Sequence, residues 1–347
     1  MQRVYLDHNA TTSLRPEARV AMQAAMDIPG NPSSVHAEGR TAKALLEQAR
    51  TDIAIAIGAD GADVIFTSGA TEAAALACAG RDLIAAEVEH DALQSWCTCT
   101  LPVDTQGRVS VTTAERTSLQ LANSETGVIQ NLPAGLAVSD MTQAFGKIAV
   151  DFNASGVKAA LISAHKIGGP KGVGALIVKR GLDLEARIKG GGQEMGRRSG
   201  TENLIGIAGF AAAAKAARSD VAAGRWDEIA ELRKILELSL AAGDVPPIFL
   251  GTQTERLPNT SCFVRTGWKG EAQVIQMDLA GFAISAGSAC SSGKVRASTV
   301  LQAMGLNETS ASCAARVSLG LETTKEQVLR FADAWLEKEA KVRARAA

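Results

Sequence analysis

Five times between residues 63 and 166, an apolar run of strand length ends in small or polar side chains. The runs are 63–67, 82–89, 118–122, 136–139 and 159–162. They open onto Ser68-Gly69-Ala70-Thr71-Glu72, His90-Asp91, Asn123-Ser124-Glu125, Asp140-Met141-Thr142-Gln143 and Ser163-Ala164-His165-Lys166. Helical or loop-like segments lie between them. Repetition of this kind predicts an open α/β sheet, which binds its ligand at the carboxyl edge. The polar residues at the run ends are therefore the first candidates for a site.

Their chemistry is specific when taken together. A lysine at a strand end, partly desolvated, can lose its proton and act as an amine nucleophile toward an aldehyde. Taken alone, Lys166 reads equally well as a solvated lysine before the turn Gly168-Gly169-Pro170. The Gly69-Ala70-Thr71 turn enters an alanine-rich helix, so it can offer backbone N–H groups and a helix dipole to a phosphate. Thr71 would either cap that helix or add a hydroxyl to the phosphate. His90 points into the same crevice if the strands are parallel. Asp140 could keep a pyridinium nitrogen protonated. An aldehyde, a phosphate and a pyridine nitrogen occur together in pyridoxal 5'-phosphate (PLP).

The rest of the chain fits a soluble enzyme of two domains. Its 347 residues are enough for two cores. Hydrophobic residues make up 46% and the formal net charge is −1, so no bulk field attracts nucleic acid or an anionic membrane. No apolar run approaches the roughly 20 residues that span a bilayer, and residues 1–8 show no signal peptide. Six scattered cysteines without a Cys-x-x-Cys pair predict free thiols in a reducing cytoplasm and no zinc site. A helix is expected over 38–57, where Leu45, Leu46, Ala49, Ile53 and Ile57 keep helical spacing. A strand follows over 173–179, then a long loop, Gly190 to Thr201, holding Arg197 and Arg198. Beyond 202 come two helices and an alternating stretch, and Thr323-x-x-Glu326 reads as a capping box for the last helix. Strands with helices on one side suggest a smaller α+β domain there.

The chain resembles the cysteine desulfurases of the NifS/IscS type, in the class V aminotransferase superfamily of fold-type I PLP enzymes. The resemblance rests on stretches running from end to end. They include Tyr5-Leu6-Asp7-His8-Asn9-Ala10-Thr11-Thr12, Phe66 to Glu72, Glu89-His90, Ser163 to Gly172 and Gly190 to Thr201. Arg256 to Thr260, Ser285-Ala286-Gly287-Ser288-Ala289-Cys290 and Arg316 to Gly320 complete the set. It implies a large PLP-binding domain over 13–209, with a mostly parallel sheet between helices. Residues 1–12 and 210–347 would form the small domain.

The resemblance also implies roles. Lys166 would carry PLP as a Schiff base, with His90 stacked on the ring and moving protons. Asp140 would pair with the pyridine nitrogen and Gln143 with the phenolic oxygen. Ala70, Thr71, Ser163 and His165 would bind the phosphate, with Ser124 near the cofactor and Thr201 supplied by the partner of a homodimer. Asn9, Ala10 and Thr11 would line the substrate pocket, and Arg316 would clamp the carboxylate of L-cysteine. Cys290, set among small residues, would take the sulfur as a persulfide and pass it to an acceptor or scaffold protein. Alanine would be the second product, and iron–sulfur cluster assembly one destination for the sulfur. The rival readings are a selenocysteine lyase, another aminotransferase-type enzyme, or a silent partner-binding homologue. The chain departs from the family pattern at Ser124, where a second asparagine is usual, and at Met195, where an arginine is common. Its segments 109–118 and 127–140 are short.

Overall fold

The computed structural model describes residues 3–287 and 297–346. The chain begins with β1 (Val4–Tyr5) and two helices, α1 (Pro16–Met26) and α2 (Ala37–Ala56). The reading above leaves residues 16–26 without an element. They become α1 because Pro16 occupies the first turn, where its missing N–H is no loss and its fixed φ suits the helix. The His36 ring caps α2 by accepting from the Gly39 amide.

The large sheet is then built in order. Its elements are β2 (Asp63–Thr67), α3 (Ala70–Cys78), β3 (Leu83–Ala85), α4 (Asp91–Gln94) and β4 (Cys97–Cys99). They continue with β5 (Ser139–Asp140), α5 (Phe152–Ser155), β6 (Ala159–Ser163) and β7 (Gly174–Val178). The strand order is β2-β7-β6-β5, with β5 parallel to β6. Parallel bridges Ser118–Val138 and Ile84–Thr117 carry the sheet on to β3, which is parallel to β4. The run at 118–122 is not a full strand. It still holds ladder bonds, Leu119 N to Val138 O at 3.0 Å and Leu121 N to Asp140 O at 2.8 Å. Only β7 runs against its neighbours. The connection from Ser163 to Gly174 is too short for a crossover helix, so the chain must turn straight back.

Alternation along the strands divides the core. Phe66, Ile162 and Ile177 face α2 and α6 (Leu204–Ala222), while Ile65, Leu161 and Leu176 face α3. The boundary expected at 209/210 falls within α6, whose Phe210, Ala213, Ala214 and Ala217 lie in the same core as Phe66. Its alanines let it sit close against α1 and α2. Gly224, in the left-handed region with φ 70°, turns the chain into α7 (Arg225–Ala241). Residues 127–138 carry no helix.

The small domain follows with β8 (Ile248–Phe249), β9 (Thr260–Val264), α8 (Gly270–Leu279), β10 (Phe282–Ala283) and β11 (Ser285–Ala286). It ends with α9 (Thr299–Ala303), α10 (Glu308–Ala311), β12 (Ala314–Ser318) and α11 (Lys325–Ala346). The antiparallel sheet β11-β12-β9-β8 packs on Phe263, Trp268, Phe331 and Trp335. β1 pairs with β10, which draws the N-terminal residues into this half. The capping box of α11 lies one residue later than expected. Thr324 and Gln327 exchange the two bonds, because the Thr323 hydroxyl accepts from Gly320 N instead. No described helix is long and apolar enough to cross a membrane.

Candidate active site

The parallel strands end on one edge of the large sheet, and β12 faces that edge from the small domain. Between them lies a cavity of about 490 Å³. Asn9, Ala10, Thr11, Ala70, Thr71, His90, Ser124, Asp140, Gln143, Ser163, His165, Lys166 and Arg316 all line it. Thr201 does not; it faces a smaller neighbouring pocket with Ser68 and Gly172. Cys290 lies outside the described residues.

Lys166 ends a single 3-10 turn directly after β6. Its amine donates to the carbonyl oxygens of Asn9, at 2.6 Å, and Ala10, at 2.8 Å. The chain after β1 therefore lies across the lysine. Asn9 is 1% exposed, and its side chain is engaged by the protein. Its Nδ2 donates to Ser124 O and Thr260 Oγ1, and its Oδ1 accepts from Asn259 and Lys147. Asn9 thus lines the cavity and also ties together segments from both halves of the chain.

Gly69 holds the N-cap position of α3, and no side chain caps the helix there. The Thr71 hydroxyl therefore does not serve as the cap and stays on the cavity wall. The first N–H groups of α3 have no intrahelical partner and suit an anion. His165 is pushed down to about 4 by burial and by Lys166 and Lys171, so its ring is neutral at pH 7. Its Nδ1 lies 3.2 Å from Thr11 Oγ1. His90 caps α4 with Nδ1, which accepts from Ala92 N at 3.1 Å. In a neutral ring this leaves the proton on Nε2. Asp140 closes β5, and its Oδ1 accepts from Thr142 N at 2.8 Å.

Arg316 projects from β12 and is 2% exposed. One terminal nitrogen donates to Asp7 Oδ1 at 2.7 Å and the other to Ser124 O at 3.1 Å. Its buried Nε has no partner. The loop from Gly190 to Thr201 is anchored beside α3. Arg198 reaches Glu72 at 2.8 Å, and buried Glu194 takes Arg50 at 2.7 Å. Glu194 and Met195 adopt left-handed φ values of 50° and 59°.

Sequence reading missed three buried groups. Burial pushes Glu89 well up, and one of its carboxyl oxygens has no partner. Burial also raises Glu125 to about 7, although Ser298 donates to it at 2.5 Å. Lys147, 2% exposed, donates to Gln143 Oε1 at 2.7 Å and Asn9 Oδ1 at 2.9 Å. Glu89 and Glu125 stand at run ends that the sequence marks without singling out these side chains, and Lys147 sits in a stretch that reads as an ordinary turn. Only their place in the fold shows their burial.

Residues 4–331 match the Aminotransferase class-V family. The chain belongs to this family. A cysteine desulfurase of Cereibacter sphaeroides is 36% identical over 95% of this chain and 94% of its own. The cysteine desulfurase IscS of Dictyoglomus turgidum is 36% identical over 94% and 91%. The X-ray structure of a NifS-like protein from Rickettsia africae superposes with a TM-score of 0.87 at 31% identity, covering 99% of this chain and all of that one. Within the class-V family, the chain is therefore of the NifS/IscS type and its cofactor is PLP. The donor set fits that group. A lysine stands at Lys166, groups able to donate to an anion stand at α3, Ser163 and His165, and a carboxylate stands at Asp140.

Proposed function

We propose that this class-V enzyme is a desulfurase that takes sulfur from L-cysteine and releases L-alanine. PLP, when bound, supplies an electron sink that loosens the bonds at the substrate's α-carbon. Lys166 would hold the cofactor covalently, and the α3 amides, Thr71, Ser163 and His165 would bind its phosphate. Asp140 and Gln143 would hold the pyridine nitrogen and phenolic oxygen. Arg316 would bind the substrate carboxylate through guanidinium N–H groups that its bonds to Asp7 and Ser124 leave over. His90 would move protons through Nε2.

Cys290 would be the nucleophile. Its thiolate takes the substrate's sulfur atom and becomes a persulfide, and the carbon left behind gains a proton to give alanine. The persulfide sulfur then passes to an acceptor protein for iron–sulfur cluster or related biosynthesis. Two chains would form the working unit, each lending Thr201 to the other's phosphate site, in the cytoplasm. The observation that carries this reading is the convergence of Lys166, Asp140, His90 and Arg316 on one cavity. Borohydride reduction of the loaded enzyme tests it at the root. The cofactor should be fixed on the peptide holding Lys166, and labelling of another lysine would overturn the assignment.

A further inference from the structure

Lys147 has no part in the roles set out above, yet it is more deeply buried than Lys166. It lies behind the cavity wall. Its two partners are amide oxygens, Gln143 Oε1 at 2.7 Å and Asn9 Oδ1 at 2.9 Å. Lys166, Arg316 and His8 are the titratable and charged groups that face it, and all three are basic. Burial first, and Lys166 and Arg316 next, hold its amine well below the usual lysine range. A lysine kept at such a place needs a reason, since an apolar side chain of its size would avoid the desolvation.

The reason lies in what an amine can do to two amides. A side-chain amide has a donor end and an acceptor end, and the Lys147 amine has N–H groups enough to donate to both acceptor ends, Gln143 Oε1 and Asn9 Oδ1. Lys147 therefore keeps the oxygen of Gln143 facing it. The Nε2 end is left toward Asn9 O, where it donates at 2.9 Å. That same carbonyl accepts from Lys166 Nζ at 2.6 Å. The donor end of Gln143 and the amine of Lys166 thus meet at one point. The same logic fixes Asn9. Its oxygen faces Lys147 and Asn259, and its Nδ2 faces Ser124 O and Thr260 Oγ1.

We propose that Lys147 is a positioning residue that locks the amides of Gln143 and Asn9, so that Gln143 presents a donor, never an acceptor, to the group held at Lys166. The inference rests on PLP being that group, with its phenolic oxygen near Gln143. A donor aimed at that oxygen favours the unprotonated form of the bound chromophore. Without Lys147 one of the two bonds that orient the amide is gone, and the flip that offers its oxygen instead costs less.

The test is a pH titration of the visible spectrum of the loaded enzyme. Lys147→Met, close to the native volume, should raise the spectral midpoint by about one pH unit, the size of one hydrogen bond gained or lost. Gln143→Met should raise it similarly. The deciding protein is the double variant. If Lys147 acts through Gln143, adding Lys147→Met to Gln143→Met moves the midpoint little further. If the shift from Lys147→Met persists undiminished in the double variant, Lys147 acts only by charge or packing, and the inference is overturned. Lys147→Leu, apolar and likewise without a donor, takes the same place in the cycle should the methionine variant fail to fold. A wild-type protein that shows no PLP band at all would instead overturn the cofactor reading, and this inference with it.

Discussion

Asp7 Oδ1 accepts from Arg316 Nη2 at 2.7 Å, joining residues 309 apart in sequence. Ser285 Oγ donates to the other carboxylate oxygen at 2.8 Å. The arginine expected to hold a substrate carboxylate is therefore already balanced by one of the chain's own. An incoming carboxylate adds a second anion to a guanidinium that still has a free N–H.

This pairing leads to a first prediction. Asp7→Asn leaves Arg316 buried without its counter-charge and should destabilise the ligand-free protein by about 3 kcal/mol. L-Alanine, a carboxylate ligand that cannot react onward, should then raise the thermal midpoint of the variant more than that of the wild type. Equal midpoints without ligand, or equal gains with it, would mean that the pair does not set the charge balance of the site.

Glu125 gives a pH signature. Its carboxyl sits at about 7 when folded, chiefly through burial, against 4.5 in an unfolded chain. Between those values the unfolded chain gives up a proton that the folded one keeps. Stability is therefore full below 4.5 and falls as pH rises through about 7, by up to about 3 kcal/mol. Glu125→Gln can still accept from Ser298 and carries no charge. Denaturant titrations at pH 5 and pH 8 should show a smaller loss in this variant than in wild type. Glu89 contributes to both proteins and cancels from the comparison. Parallel losses would remove Glu125 as the source.

Ser124, where the resemblance leads one to expect an asparagine, lines the cavity wall. Its backbone oxygen holds Asn9 and Arg316, while its short side chain leaves out the reach of an asparagine amide. One hydrogen bond is worth roughly 0.5–1.5 kcal/mol, or up to about tenfold in affinity. Ser124→Asn should therefore slow PLP loss on dialysis by a factor within that range. Unchanged or faster loss would show that the wall is fitted to serine.

Thr201 lies outside the main cavity of its own chain. Mixing Thr201→Ala with Lys166→Ala protein should restore activity as subunits exchange, because some shared sites regain both residues. A protein active as a monomer at assay concentration would rule out a shared site.

Much of this is legible in the chain because apolar runs and their polar ends are local features. The strands around Ile65, Leu161 and Leu176, and the lysine after β6, follow from spacing alone. The direction of β7 does not, since it depends on how few residues separate Ser163 from Gly174. The extent of the large domain is hidden too, because an alanine-rich helix such as α6 shows little preference for one face until α1 and α2 pack on it. Lys147 sits in Phe145-Gly146-Lys147-Ile148, which reads as a solvated turn. Its burial comes from the fold bringing Asn9, remote in sequence, onto its amine. Asp7 and Arg316 pair for the same reason.

The central claim is that sulfur leaves L-cysteine for Cys290. Incubating the loaded enzyme with L-cysteine, without an acceptor, and weighing its cysteine peptides tests this directly. The peptide holding Cys290 should gain one sulfur atom while alanine appears in solution. Alanine release with Cys290 unmodified, or with the extra sulfur on another cysteine, would contradict the account.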